Sequence, residues 1–303
     1  MSCAPQALTQ VVRIRVLRGP NALGGAAPAV VRSRVVGAAR GPLPFLIGGE
    51  ALAAGAAGWL RLQPGEARAR EHAHLAHRLA TRGEGFAGKT VVVSGAGNVA
   101  LHTVEKVNEL GGKVVAICDY DGAVHDPAGI DAEKLAYTKD LVFNRRGSLK
   151  QYAEKYRVGF IERAQPWSIP CDVAFPCAAE NTLDGDQART LIKNGCFCVV
   201  EGANMPTTPE GVTAFLDAKI LFAPGKAANA GGVATSGLEM AQNAMHLSWT
   251  RDEVDQRLHQ IMRNIHRTCV EYGRDGDFIN YVDGANRAGF IKVANAMIAQ
   301  GIV

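Results

Sequence analysis

The chain has 303 residues, 47% hydrophobic and 20% charged, a balance that excludes a disordered chain and allows one large domain or two small ones. Its net charge of +4 is unevenly shared: residues 1–82 hold eleven arginines and three glutamates, and the remainder is net negative, so the body offers no basic surface for nucleic acid. Seven cysteines, an odd number in so long a chain, exclude a disulfide-stapled mini-domain and fit a reducing, cytoplasmic setting.

The head, residues 1–82, contains no Lys, Asp or Tyr and keeps neither a period of two nor one of 3.6 for long. Residues 66–82 allow one helix. The histidines there (His72, His74, His77) have no matching ligand set and read as composition, not as a metal site. The most apolar stretch, residues 41–60, is interrupted by Pro42, Pro44 and Glu50, so no membrane span is expected. No compact apolar core precedes a cleavage site, and the scarcity of serine argues against a transit peptide.

From Lys89 onward strands and helices alternate. Thr90–Ser94 is a β-branched run suited to a strand buried on both faces. Residues 98–110 place Val99, Leu101, Val104, Val107 and Leu110 close to helical spacing, and Gly111-Gly112 ends that helix. Lys113–Cys118 completes a βαβ unit. Further strands are expected at residues 158–161, 172–175, 197–200 and 219–222, with helices at 149–156 and 187–193. After Gly231-Gly232 the pattern stays helical, over 233–247, 251–272 and 290–299. The fold class expected is α/β: a doubly wound, Rossmann-like parallel sheet with a helical C-terminal tail, preceded by a poorly ordered N-terminal segment. The domains expected are an unassigned head, 1–82, and a dinucleotide-binding domain, 83–303. Cys171, Cys177, Cys196 and Cys198 fall in apolar runs and act there as small hydrophobes, and Cys196 and Cys198 fit two thiols on one sheet face.

The turn Gly95-Ala-Gly97-Asn-Val-Ala100 has the form G-x-G-x-x-A between a strand and a helix. Gly95 permits the tight turn, Gly97 lets pyrophosphate approach the backbone, and Ala100 allows close helix–strand packing. The helix start then offers N–H groups and a positive dipole end to phosphate. Asp119 ends the next strand, where a carboxylate commonly grips a ribose 2′-hydroxyl.

Beyond that turn lie Gln165-Pro-Trp-Ser-Ile-Pro170, Glu201-Gly-Ala-Asn-Met-Pro-Thr-Thr208, and the long run from Phe222-Ala-Pro-Gly-Lys to Glu239-Met-Ala-Gln-Asn243. On these blocks the chain from Gly83 to Val303 resembles the nucleotide-binding half of NADP-dependent glutamate dehydrogenases. The resemblance implies NADP as cofactor, with NAD as second choice. It implies 2-oxoglutarate or glutamate and ammonium as substrates, and a homo-hexamer. Ser94, Gly95, Gly97, Asn98 and Val99 would serve the pyrophosphate and adenosine side. Ala178, Asn204 and Asn229 would line the nicotinamide, with Asn229 on its carboxamide. Ser236 would bond the distal carboxylate of the substrate, and Val233 would pack on its stem. Without the resemblance, Ser236 reads as a serine bonded to its own helix backbone. Arg145, with Arg146 beside it, would meet a 2′-phosphate, although Tyr120 stands where the family often has a serine.

The family's catalytic lysines and aspartate belong to a separate N-terminal domain, and residues 1–82 contain neither residue type. No catalytic residue is therefore assigned. Arg without Lys, rich in Ala, Gly and Pro, is what GC-rich DNA gives out of frame, so the head reads first as a frame-shifted or mis-started segment and second as a targeting arm. A cofactor half lacking those lysines is expected to show little turnover, the rival reading being a non-catalytic dinucleotide-binding module or subunit partner. Its C-terminal helices, deprived of the domain they normally cover, should expose apolar surface.

Overall fold

The computed structural model describes residues 85–301. The expectations placed on residues 1–82, including a poorly ordered head, lie outside the described residues.

Strand β1 (Thr90–Ser94) sits at the middle of the main sheet. Val91, Val92 and Val93 are each 0% exposed, as a strand covered on both faces requires. The chain then runs through α1 (Asn98–Glu109), β2 (Lys113–Cys118), β3 (Gly122–His125), α2 (Ala132–Lys139), a π-helical turn (Asp140–Asn144), α3 (Leu149–Tyr156) and β4 (Gly159–Glu162). It returns to the other side of β1 as β5 (Val173–Pro176), followed by α4 (Gly185–Lys193), β6 (Cys198–Val200), α5 (Pro209–Asp217) and β7 (Leu221–Ala223). The sheet order is β4-β3-β2-β1-β5-β6-β7. Five strands run parallel, but β3 pairs with β2, and β4 with β3, antiparallel. The expected strand at 158–161 thus forms an antiparallel edge. The reversal belongs to β3 and comes from the short link after Asp119, whose N–H bonds the Gly122 carbonyl at 2.9 Å: so tight a turn can only reverse the strand, and β4 pairs antiparallel because it lies against β3.

Helices cover both faces. Leu101 and Val104 of α1 and Leu149 and Tyr152 of α3 pack with Val91, Val93 and Phe175 on one side. Ala188 and Leu191 of α4, Phe215 of α5 and Trp167 pack with Val92, Ala174 and Val199 on the other. All six described cysteines are free and buried. Cys196 and Cys198 do not share a face, however: Cys196 joins the Trp167 layer and Cys198 the Phe175 layer. Cys196 precedes the strand, directly after the turn at Gly195 (φ 90°), so the two-residue alternation does not apply to it.

The helical tail consists of α6 (Gly225–Ala228), α7 (Ala230–Ala244), α8 (Arg251–Gly273) and α9 (Tyr281–Gln300), with a small hairpin of β8 (Arg274–Asp275) and β9 (Phe278–Ile279) between the last two. Thr250 and Glu253 form a reciprocal capping box at the start of α8. The first turn of α9 crosses α8 where Gly284 lies against the Cys269 carbonyl and Gly273 against that of Asn280. A Gly284→Val variant should lose about 3 kcal/mol of stability, because its new atoms meet backbone, which cannot swing aside. An unchanged urea midpoint would show that the two helices do not cross there. Farther along α9, Phe290, Val293, Met297 and Ile298 are exposed, the apolar surface expected from the sequence.

Candidate functional site

The strand order reverses between β1 and β5: the chain leaves β1 toward β2 and returns on its other side as β5. In an open α/β sheet the crevice beyond the carboxyl ends of those two strands is where a ligand binds. The side chain of Ser94, fully buried, accepts a hydrogen bond from the Cys177 N–H at 3.1 Å and clasps the two strand ends together. Ser94 therefore acts as a buried clasp beneath the crevice. Gly95 takes φ 97°, and a Cβ there would stand 3.2 Å from both Ala178 Cα and the Cys177 carbonyl oxygen. Its N–H donates to Cys118 Sγ at 3.2 Å, and that thiol donates onward to Gln165 at 3.2 Å. Burial pushes the Cys118 thiol up to about 11, so it stays protonated as a donor.

Gly97 is the cap residue before α1, and a Cβ there would meet nothing within 4 Å. Gly97 and Asn98 are exposed, Val99 is half-buried and Ala100 is packed away, so the helix start opens onto free space. These residues fit a dinucleotide pyrophosphate: among the described residues nothing stands within 4 Å of where a Gly97 Cβ would be, at the start of the helix.

At the far end of β2, Asp119 is less available than its position suggests. Its Oδ1 accepts from the Asp121 and Gly122 N–H groups at 2.9 and 3.1 Å, and its Oδ2 from the Leu149 N–H at 2.7 Å. The carboxylate thereby ties the start of α3 to the end of β2, and the basic turn Arg145–Arg146 precedes that helix start by three to four residues in the chain. Arg145 is ion-paired with Asp140 at 2.9 Å, and its guanidinium lies 4.7 Å from the centre of the Tyr137 ring. The Tyr137 hydroxyl, and after it Asp140, raise its pKa above the ordinary arginine value.

On the other side of the crevice, the Pro176 carbonyl at the end of β5 accepts from the Gly202 and Ala203 N–H groups at 2.8 and 2.9 Å. This sets the loop after β6 beside exposed Ala178. Asn229 and Asn204, 25 residues apart, meet there: Asn229 Nδ2 donates to Asn204 Oδ1 at 2.7 Å and to the Ala203 carbonyl at 3.2 Å. Glu201, absent from the expected site set, makes that meeting rigid. Its buried carboxylate accepts the Gly225 N–H at 2.6 Å and the Thr207 N–H at 3.3 Å, joining the two loops that carry the asparagines. Burial pushes its carboxyl above the usual range, opposed by those hydrogen bonds. An acid directly after the apolar pair Val199-Val200 was the available sequence signal.

Val233 is 72% exposed on α7, one turn beyond Asn229. Ser236 is exposed on the next turn, and its hydroxyl donates to the Gly232 carbonyl at 3.3 Å. The backbone bond expected from local chemistry is present, and the oxygen remains open on its solvent side. Among the described residues no His, Cys, Asp and Glu cluster is arranged to hold a metal, and no helix is long and apolar enough to cross a membrane.

The fold is a Rossmann-like α/β domain with an open crevice at its switch point. The signature of the glutamate/leucine/phenylalanine/valine dehydrogenases matches residues 65–301, and the chain belongs to that family. The match begins ahead of Gly83. An NAD(P)-specific glutamate dehydrogenase of Xylanibacter ruminicola is 58% identical over 229 residues, 75% of this chain and 52% of that protein. An NADP-specific glutamate dehydrogenase of Salmonella typhimurium is 55% identical over 225 residues, 74% of this chain and 50% of that protein. The crystal structure of Plasmodium falciparum glutamate dehydrogenase superposes with a TM-score of 0.75 at 41% identity, covering 79% of this chain and 52% of that one. The chain spans about half the length of the curated relatives it matches.

Proposed function

We propose that the chain supplies the cofactor half of an NADP-linked glutamate dehydrogenase, which interconverts 2-oxoglutarate plus ammonium and L-glutamate. The observation that carries the reading is the crevice itself: an open glycine turn at one end and the Asn204–Asn229 pair at the other, joined across the switch point. A bound nicotinamide would supply or accept the hydride. Gly97, Asn98 and Val99 hold the pyrophosphate side, Ala178, Asn204 and Asn229 orient the ring, and Val233 and Ser236 face the substrate's stem and far carboxylate. The family relationship also favours a cytoplasmic, hexameric protein.

The acid–base groups are a different matter. Residues 1–82 hold no lysine or aspartate, and Lys226, beside the Asn229 loop, is bonded to Asn286 on α9 at 2.5 Å. General acid–base help contributes orders of magnitude to such a reaction. A polypeptide of these 303 residues should therefore bind NADPH and turn over slowly or not at all. The second reading is a non-catalytic dinucleotide-binding module or subunit partner. Titration with NADPH followed by assay with 2-oxoglutarate and ammonium tests both. Failure to bind overturns the proposal, and brisk unaided turnover overturns the claim that its acid–base groups are missing.

The preference for NADP rests on the occupied Asp119 carboxylate and the adjacent arginines. Three backbone donors already satisfy Asp119, which leaves it a poor grip for a ribose hydroxyl, whereas a guanidinium fork suits phosphate. Arg145→Ala should weaken NADPH roughly tenfold to a hundredfold and leave NADH unchanged. Asp140→Asn should act in the opposite direction by freeing Arg145. Dissociation constants for the two nucleotides decide it, and an equal loss for both in Arg145→Ala refutes the assignment.

A further inference from the structure

Tyr120 is 101% exposed, at the tip of the link between β2 and β3. The other described tyrosines of this region have packing partners: Tyr137, Tyr152 and Tyr156 pack in tilted and edge-on pairs with centroids 4.8 to 6.4 Å apart. An exposed tyrosine on a turn is by itself ordinary. What distinguishes this one is its place. It directly follows Asp119, at the end of the second strand, where the adenosine ribose of a dinucleotide lies. It is also held in a fixed turn, because the Asp119 carboxylate accepts from the Asp121 and Gly122 N–H groups while the Asp119 N–H donates to the Gly122 carbonyl.

We propose that Tyr120 is the platform on which the adenine ring of the dinucleotide stacks. This rests on the dinucleotide reading of the crevice and goes beyond it by naming what holds the base. With both Asp119 oxygens engaged, the carboxylate has little left with which to hold the adenosine. Recognition passes to other groups: the flat, open face of Tyr120 for the base, and the Arg145–Arg146 turn, with Arg145 exchanging its Asp140 pair, for a phosphate on its ribose. The division has a clear consequence. Adenine is common to NADH and NADPH, so Tyr120 serves both equally, while Arg145 separates them. A ring that stacks needs its face and not its hydroxyl, so phenylalanine should substitute.

The test uses the full chain and measures binding of NADPH, NADH, ADP and nicotinamide mononucleotide to the wild type, Tyr120→Ala and Tyr120→Phe. Base–aromatic stacking predicts that Tyr120→Ala weakens NADPH, NADH and ADP each by about tenfold. Nicotinamide mononucleotide should be unaffected, and Tyr120→Phe should match the wild type. Because the side chain touches nothing it must fold around, the thermal midpoint serves only as a control. Wild-type binding with no loss in Tyr120→Ala overturns the inference and leaves the dinucleotide reading standing. An equal loss for nicotinamide mononucleotide also overturns it, since that ligand has no adenine. Wild type that binds neither NADH nor NADPH overturns the dinucleotide reading itself, and this inference with it.

Discussion

Gly97→Val is expected to lose NADPH binding by roughly a hundredfold or more while the protein remains folded. The reason is the open space above the helix start: a Cβ there meets no atom of the described residues within 4 Å. Its backbone (φ −82°, ψ −172°) suits any residue, and it makes no side-chain cap that valine would remove. The stability cost should stay within about 1 kcal/mol, the usual penalty for a poor cap residue. The added methyls instead stand where pyrophosphate must approach, cutting it off from several charge-assisted N–H contacts of about 1.5–3 kcal/mol each. Gly95→Ala should fail differently. Its φ of 97° is unfavourable for alanine, and the new Cβ presses on Cys177 and Ala178 backbone at 3.2 Å, so stability itself should fall by about 1–3 kcal/mol. Isothermal titration beside denaturant melts separates the two cases. If Gly97→Val binds NADPH normally, the crevice is not the phosphate site.

The same two glycines show what the sequence makes legible. A β-branched run, a glycine turn and an amphipathic helix are all local signals, and the structure reproduces β1, α1 and β2 within a residue of expectation. Strand β3 went unforeseen because four residues, Gly122–His125, carry no period of their own and are strand only through pairing with β2 and β4. Helix α5 had its cues in place, Thr208 as cap and Pro209 in the first turn, but it spans only nine residues between two short strands. The site divides along the same line. Gly95 and Gly97 are readable from spacing, whereas the contact between Asn204 and Asn229 depends on β5, β6 and β7 lying side by side. Ser94 and Asp119 carry a structural part that residue type and position did not reveal: both accept backbone N–H groups from distant segments.

Glu201 is where that hidden organisation is most open to attack. Glu201→Ala would leave the Gly225 and Thr207 amides buried without an acceptor, and at roughly 1–3 kcal/mol for each unsatisfied group the expected loss is about 3 kcal/mol. Space is tight around it, since a Cβ on Gly225 would already stand 2.8 Å from the Ala203 carbonyl, so the loops cannot collapse to compensate. Glu201→Gln keeps the volume but turns an N–H₂ toward one of two backbone donors. It should loosen the Asn204–Asn229 pair and weaken nicotinamide mononucleotide more than ADP. The wild type should also carry a pH signature. Burial raises the folded-state pKa of Glu201 above its unfolded value, so between the two values the folded state binds more protons. Its contribution to stability is thus fully present below the unfolded pKa and declines as pH rises through the folded one, the reverse of an ion-paired surface carboxylate. Glutamine does not titrate, so the difference in stability between wild type and Glu201→Gln should itself shift with pH across that window. A difference that stays flat while the destabilisation persists would mean that Glu201 does not titrate on folding and acts only through its shape.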